Sequence, residues 1–169
     1  MKKPVYDLKS SADGHFYFFN SKGERAVKKA IVFIPLKNNS SIVELVFGDI
    51  KNDSSIDFYS VSENNDLLEI ISTVIESLKL YLDKFPDMTV YFRGSTPART
   101  RLYRAVIAKN LNVNELIYEI IGVLGNEQIE TFNKDHTYLG YLIRKKHEKK
   151  SQQEYLWYFD WWTSKKGFE

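Results

Sequence analysis

Residues 91–104 read Tyr-Phe-Arg-Gly-Ser-Thr-Pro-Ala-Arg-Thr-Arg-Leu-Tyr-Arg, and they decide the fold because a strand turns into a helix within them. Met88 to Arg93 is a short apolar strand. Gly94 and Ser95 form the turn, Thr96 is placed to cap a helix, and Pro97 suits its first position, where a missing N–H costs nothing. The first turns of that helix then carry Arg99, Arg101 and Arg104. Positive charge there opposes the helix dipole by roughly 0.3–1 kcal/mol per exposed charge. Asp87 and Glu115 are the nearest acidic residues on either side, so no local carboxylate offsets it. A strand, a glycine turn, helix N–H groups and arginines together describe an anion site.

Working back from this stretch, Asp66 to Phe85 is an amphipathic helix. Asp66 and Glu69 make a capping-box-like pair, and Leu67, Ile71, Val74, Leu78, Leu82 and Phe85 form a stripe widened by Ile70, Ile75 and Tyr81. Pro86 stops it. Ahead of the helix come four strands, His15–Asn20, Lys29–Leu36, Ile42–Phe47 and Ile56–Val61, separated by turns rich in Gly, Asn, Asp and Ser. Short connections favour an antiparallel meander. The apolar run Ala30–Ile34 predicts a central strand covered on both faces, with Pro35 at its end or at an edge.

Beyond the Arg helix, Glu119–Leu124, Gly125-Asn126 and Gln128–Phe132 read as a hairpin; a short helix over 115–123 is the alternative, against which Gly122 counts. Tyr138–Ile143 is a last strand, with Gly140 marking a bulge or a close backbone approach. The fold class is α+β: an antiparallel four-stranded meander with a covering helix, then strand, helix and hairpin, the helices mostly on one sheet face. Residues 1–143 make one domain, and 144–169 a basic linker and an aromatic extension.

Composition narrows the function. With 169 residues, 43% hydrophobic and 27% charged, the chain suits one ordered domain plus an appendage. The absence of cysteine excludes disulfides, thiolate catalysis and cysteine metal sites, and is compatible with a reducing cytoplasm. No run approaches a membrane span, and no apolar stretch follows the basic N-terminus, so a soluble cytoplasmic protein is expected. Residues 1–143 hold 17 Lys/Arg against 18 Asp/Glu, and 144–169 hold 7 against 4. A duplex-binding domain carries a broader positive footprint than that body.

Phe47-Gly-Asp49, Ile56-Asp57, Lys84-Phe-Pro-Asp87, Gly94 to Arg104 and Tyr141-Leu-Ile-Arg-Lys145 together resemble a family of small uncharacterised proteins found mainly in Bacteroidetes. The resemblance spans about residues 4–146, with Gly-Ser-Thr-Pro-Ala-Arg-Thr-Arg as its most specific segment. It brings no activity, substrate or catalytic residue with it, and the tail from about Ser151 lies beyond it. The order of four strands and a helix is also similar to one repeat of the Whirly and PUR-alpha nucleic-acid-binding proteins.

Three function classes follow. The first is binding of nucleic acid, preferentially single-stranded, or of a phosphate ligand, through Arg93, Ser95, Thr96, Arg99, Arg101, Arg104 and Lys109. Within that set Arg99 falls on the packed helix face with Leu102, Tyr103 and Val106, where it would pair with Asp49 or Asp57; Arg101 and Arg104 point outward. The second is a small toxin-like, metal-independent ribonuclease using arginine, Tyr103 and a general acid. The third is a protein-interaction module without nucleic acid. No cofactor fingerprint is present, His15, His136 and His147 lack metal-ligand spacing, and no metal is expected. Tyr155, Trp157, Tyr158, Phe159, Trp161 and Trp162 crowd every side of an eight-residue segment, which predicts contact with a second subunit or partner protein. An intramolecular cap on the sheet is the rival reading.

Overall fold

The computed structural model describes residues 5–58, 63–94, 96–111, 117–126 and 128–146. They build one mixed sheet and two helices: β1 (Lys9–Ser10), β2 (Phe16–Lys22), β3 (Ala26–Leu36), β4 (Asn39–Ile50), β5 (Ile56–Asp57), α1 (Leu67–Lys84), β6 (Thr89–Phe92), α2 (Pro97–Asn110), β7 (Tyr118–Val123), β8 (Ile129–Thr131) and β9 (Gly140–Lys145). The strands lie in the order β1-β2-β3-β4-β6-β9-β7-β8, with β5 beside β4. β2 to β5 are the expected antiparallel meander, residues 59–61 of its fourth strand lying outside the described residues, and β1 adds a further antiparallel strand beside β2. β4 and β6 run parallel, with Val43 opposite Val90, because α1 carries the chain back across the sheet between them. The hairpin reading holds for β7 and β8, and β9 inserts between β6 and β7.

Both helices contribute to a single large core on one face of the sheet. Ile71, Val74, Leu78 and Leu82 of α1 are fully buried against Tyr17, Ile31, Phe33 and Val90 of the strands, as are Tyr103 and Ile107 of α2. Each such large apolar side chain contributes about 1.5–3 kcal/mol. Leu67 departs from the predicted stripe and is 41% exposed; the packed face begins at Ile70. Gly140 is a close approach: a Cβ there would lie 2.9 Å from the Tyr91 hydroxyl and 3.1 Å from the Phe92 carbonyl.

Three expectations need correction. β3 is central, but the face of it turned away from the helices is partly open: Val32 is half-buried and Ile34 is 42% exposed. The strands buried on both faces are β6, β7 and β9. The last strand starts at Gly140 and runs two residues past 143, so Arg144 and Lys145 belong to the sheet and not to a linker. Arg144 is buried at 5% exposure, its Nε 2.8 Å from Glu119, its neighbour across the ladder. Finally, Asp66 holds the N-cap position of α1 without a side-chain cap bond. Its buried carboxylate instead accepts the Tyr6 hydroxyl at 2.6 Å and the Ser21 hydroxyl. Asn64 extends the contact, donating to Ser21 Oγ and to the Arg25 carbonyl.

This network ties the entry of α1 to the end of the β2–β3 hairpin, and it predicts an asymmetry. Asp66→Ala strands two hydroxyl donors and is expected to cost about 1–3 kcal/mol, whereas Asp66→Asn keeps an acceptor and costs less. Urea unfolding of the two variants measures the difference.

Candidate nucleic-acid interface

The Gly-Ser-Thr-Pro-Ala-Arg-Thr-Arg segment is first of all a joint. Gly94 passes so close to α2 that a Cβ would lie 2.6 Å from the Thr100 backbone nitrogen. Thr96 is extended and its hydroxyl accepts the Arg99 N–H at 3.2 Å, with Pro97 opening the helix. Buried Thr100 returns both its N–H and its hydroxyl to the Thr96 carbonyl. Tyr141 of β9 then donates its buried hydroxyl to the Thr100 carbonyl at 3.0 Å, pinning α2 to the sheet. The first turn therefore has little left to offer an anion: Pro97 has no N–H, and those of Arg99 and Thr100 are both taken by Thr96.

The cationic residues around this joint separate. Arg93 is exposed just past β6, and Arg101 is exposed on α2. Arg99 is half-buried, one turn before Tyr103, as its helix face requires. Asp49 and Asp57 are neighbours across the β4–β5 ladder, Asp49 beside buried Lys29 and Asp57 3.3 Å from Lys51. Arg104 does not point freely outward. Its Nη1 donates to the His136 carbonyl at 2.7 Å and to Thr137 Oγ1 at 3.3 Å, clamping α2 to the β8–β9 connection. Lys109 sits in the last turn, about 15 Å along the helix from Arg99, where it complements the dipole. Tyr103 is fully buried between Phe92 and Phe47, and burial pushes its phenol far up. Ser95 and the aromatic residues Tyr155, Trp157, Tyr158, Phe159, Trp161 and Trp162 lie outside the described residues.

The connection that Arg104 holds is locked by Glu130. Its Oε1 accepts the Tyr138 hydroxyl at 2.6 Å and lies 2.5 Å from His136 Nδ1, while the Asn133 N–H donates to the Tyr138 oxygen. Among the described residues no three His, Asp or Glu side chains converge as a metal set, and no helix is long and apolar enough to cross a membrane.

A second surface emerges from strand parity. On β2, Tyr17, Phe19 and Ser21 face the helices and are buried, so Phe16, Phe18, Asn20 and Lys22 face the other way. The Phe16 and Phe18 rings lie side by side, 6.0 Å between centroids, and Phe18 is 37% exposed. Lys9 of β1 pairs with Phe18 and Lys28 of β3 with Asn20, so both join that face. Together with Lys22 these residues border a cleft of about 520 Å³ at the β1–β2 end of the sheet, where Asp7 is the one acidic lining residue among the described residues. The sequence reading missed this surface because Phe16-Tyr-Phe-Phe19 is aromatic at every position. The usable signal is the Lys22 and Lys28 spacing across the hairpin, which puts two cations on the same face as Phe18.

Two outcomes test the α2 assignments. Arg101→Ala is expected to change stability by less than about 0.5 kcal/mol, as an exposed substitution, whereas Arg104→Ala should cost about 1 kcal/mol through its lost carbonyl bond; chemical denaturation measures both. The second concerns pH. Hydrogen bonds from Tyr138, then His136, hold the Glu130 carboxyl below its ordinary value of 4.5. A lowered folded-state value means its stabilisation is complete above about 4.5 and fades as pH falls toward the lowered value. Glu130→Gln should flatten that part of the acid dependence of the urea midpoint between about pH 5 and 3.

Compared with known proteins, the chain matches no curated protein and no solved structure. A family model does match, over residues 2–146, from just ahead of the meander to the end of β9. The chain belongs to the family of unknown function DUF6934.

Proposed function

We propose that this is a cytoplasmic protein that binds single-stranded nucleic acid on the open β1–β2–β3 face of its sheet. The observation that carries the reading is the pair of half-buried Phe16 and exposed Phe18, bordered by Lys9, Lys22 and Lys28. Two aromatic residues two apart on one strand stand about 7 Å apart along it, a spacing over which successive unstacked bases can each meet a ring. The lysines then meet the phosphates. Stacking needs bases free of a duplex, and a body with 17 basic against 18 acidic residues through 143 lacks the footprint that tracks a duplex backbone. The anion site at α2 keeps Arg93 and Arg101 as exposed cations, but Thr96 already satisfies much of the helix terminus, so we place phosphate contact mainly on the lysines.

Fluorescence anisotropy with labelled single-stranded DNA, single-stranded RNA and duplex of equal length tests the reading. Phe18→Ala is expected to weaken single-strand binding by about 1–3 kcal/mol, the range for one stacked base. Replacing Lys22 and Lys28 together should lower the slope of log K against log salt by up to about 1.4, from about 0.7 per phosphate contact. Unchanged binding in both variants, or equal affinity for duplex, overturns the proposal. Loss of binding in Arg101→Ala with Phe18→Ala silent returns the site to α2.

A further inference from the structure

The two ends of the sheet differ on the face away from the helices. Along β2 burial alternates, as it must where one face meets solvent. Along β6 all four residues are buried, and along β9 five of six are. On the face away from the helices, Ile42, Tyr91, Ile121, Val123 and Leu142 form a second apolar cluster, each at most 5% exposed. None of its members comes from α1 or α2, and the apolar residues packed at its margin are Leu36 and Ile129, from strands of the same sheet. A tyrosine and four branched aliphatics standing on one face of a sheet reach such burial only beneath another layer.

We infer that the aromatic segment Tyr155–Trp162 of the same chain is that layer, lying across β6, β9 and β7 and leaving the β1–β2–β3 end open. Three observations favour this occupant. The chain leaves the sheet from the end of β9, which lies between β6 and β7 in the patch to be covered. Residues 146–154 then provide nine residues of connection, up to about 30 Å when extended, enough to return over strands of four to six residues. The residues ahead of 147 that lie outside those described come in runs of five or fewer, whereas this segment brings six aromatic side chains in eight residues. Its aromatics on opposite sides are no obstacle, because Trp and Tyr serve well at a surface with one apolar and one wet side.

All three tryptophans of the protein lie in this segment, so the native full-length chain carries its own reporter. Emission should be shifted to the blue and acrylamide quenching several-fold weaker than in the urea-unfolded chain, unchanged on dilution. Location is read by attaching a bimane fluorophore to Ile129→Cys, the single thiol in a cysteine-free chain, at the margin of the cluster. Bimane fluorescence should be quenched by the nearby indoles and recover in a chain that also carries W157F, W161F and W162F. An excess of unlabelled chain with those three substitutions should leave the quenching intact. Relief by that excess would assign the segment to a second copy and overturn the same-chain placement. Solvent-like tryptophan emission in the native chain, or bimane indifferent to the three substitutions, would also overturn it.

Discussion

The arrangement depends on one parallel junction in an otherwise antiparallel sheet. β4 and β6 cannot be joined by a turn; parallel neighbours need a crossover of a dozen or more residues, and α1 is that crossover. Its apolar stripe must lie on the sheet to be buried, so the same helix supplies both the connection and much of the main core. The register, Ile42 opposite Thr89 and Glu44 opposite Tyr91, sets which side of β6 faces the helices. Val90 and Phe92 go into the main core and Tyr91 goes to the other face. A one-residue slip would exchange them. The Asp66 network and the Tyr141–Thr100 bond act at the start of α1 and in the first turn of α2, each fixing a helix to a strand it does not adjoin in sequence.

The antiparallel ladders also set charged residues opposite one another in pairs. Lys29 opposes Asp49 on the helix side of the β3–β4 ladder, and Arg144 opposes Glu119 on the other side of β7–β9. Each cation is nearly buried beside a less buried carboxylate. Removing one partner of such a pair leaves an uncompensated charge, which is far more costly than the pair is stabilising. The pairs therefore serve register more than net stability. A slipped ladder would separate Lys29 from Asp49 and leave both charges inside.

Much of this was legible from local pattern. Gly94, Thr96 and Pro97 announce the turn, cap and first helical residue, and α1 announces itself by periodicity. What failed depended on contacts distant in sequence. Asp66 looked like a helix cap because Glu69 stands three residues on, yet Tyr6 and Ser21, some sixty and forty-five residues away, compete for its carboxylate and win. Arg104 faced outward on a helical wheel, but a wheel does not show the β8–β9 connection lying against that side. Arg144 looked like the start of a charge run because its partner Glu119 belongs to another strand. The open face was hidden for a different reason: period-two reading needs polar residues to alternate with apolar ones, and residues 16–19 offer four aromatics in a row.

The arginines at the start of α2 now have a narrower meaning. Their charge opposes the helix dipole, and the usual compensation, an acidic residue in the first turn, is missing. The terminus tolerates this because its donors are largely satisfied by Thr96 and because Tyr141 and Arg104 hold the helix from two other directions. Cationic side chains can thus be displayed here without fraying the helix, but a stable terminus is not an empty one, and an anion would compete with the cap for the Arg99 N–H. On the open face the balance is reversed. No backbone donor has to be displaced there, Phe18 is 37% exposed, and covering it with a base removes apolar surface that the fold has left exposed. A ligand gains most where the protein has satisfied itself least, and by that measure the β1–β2–β3 face offers more to bind than the N-terminus of α2.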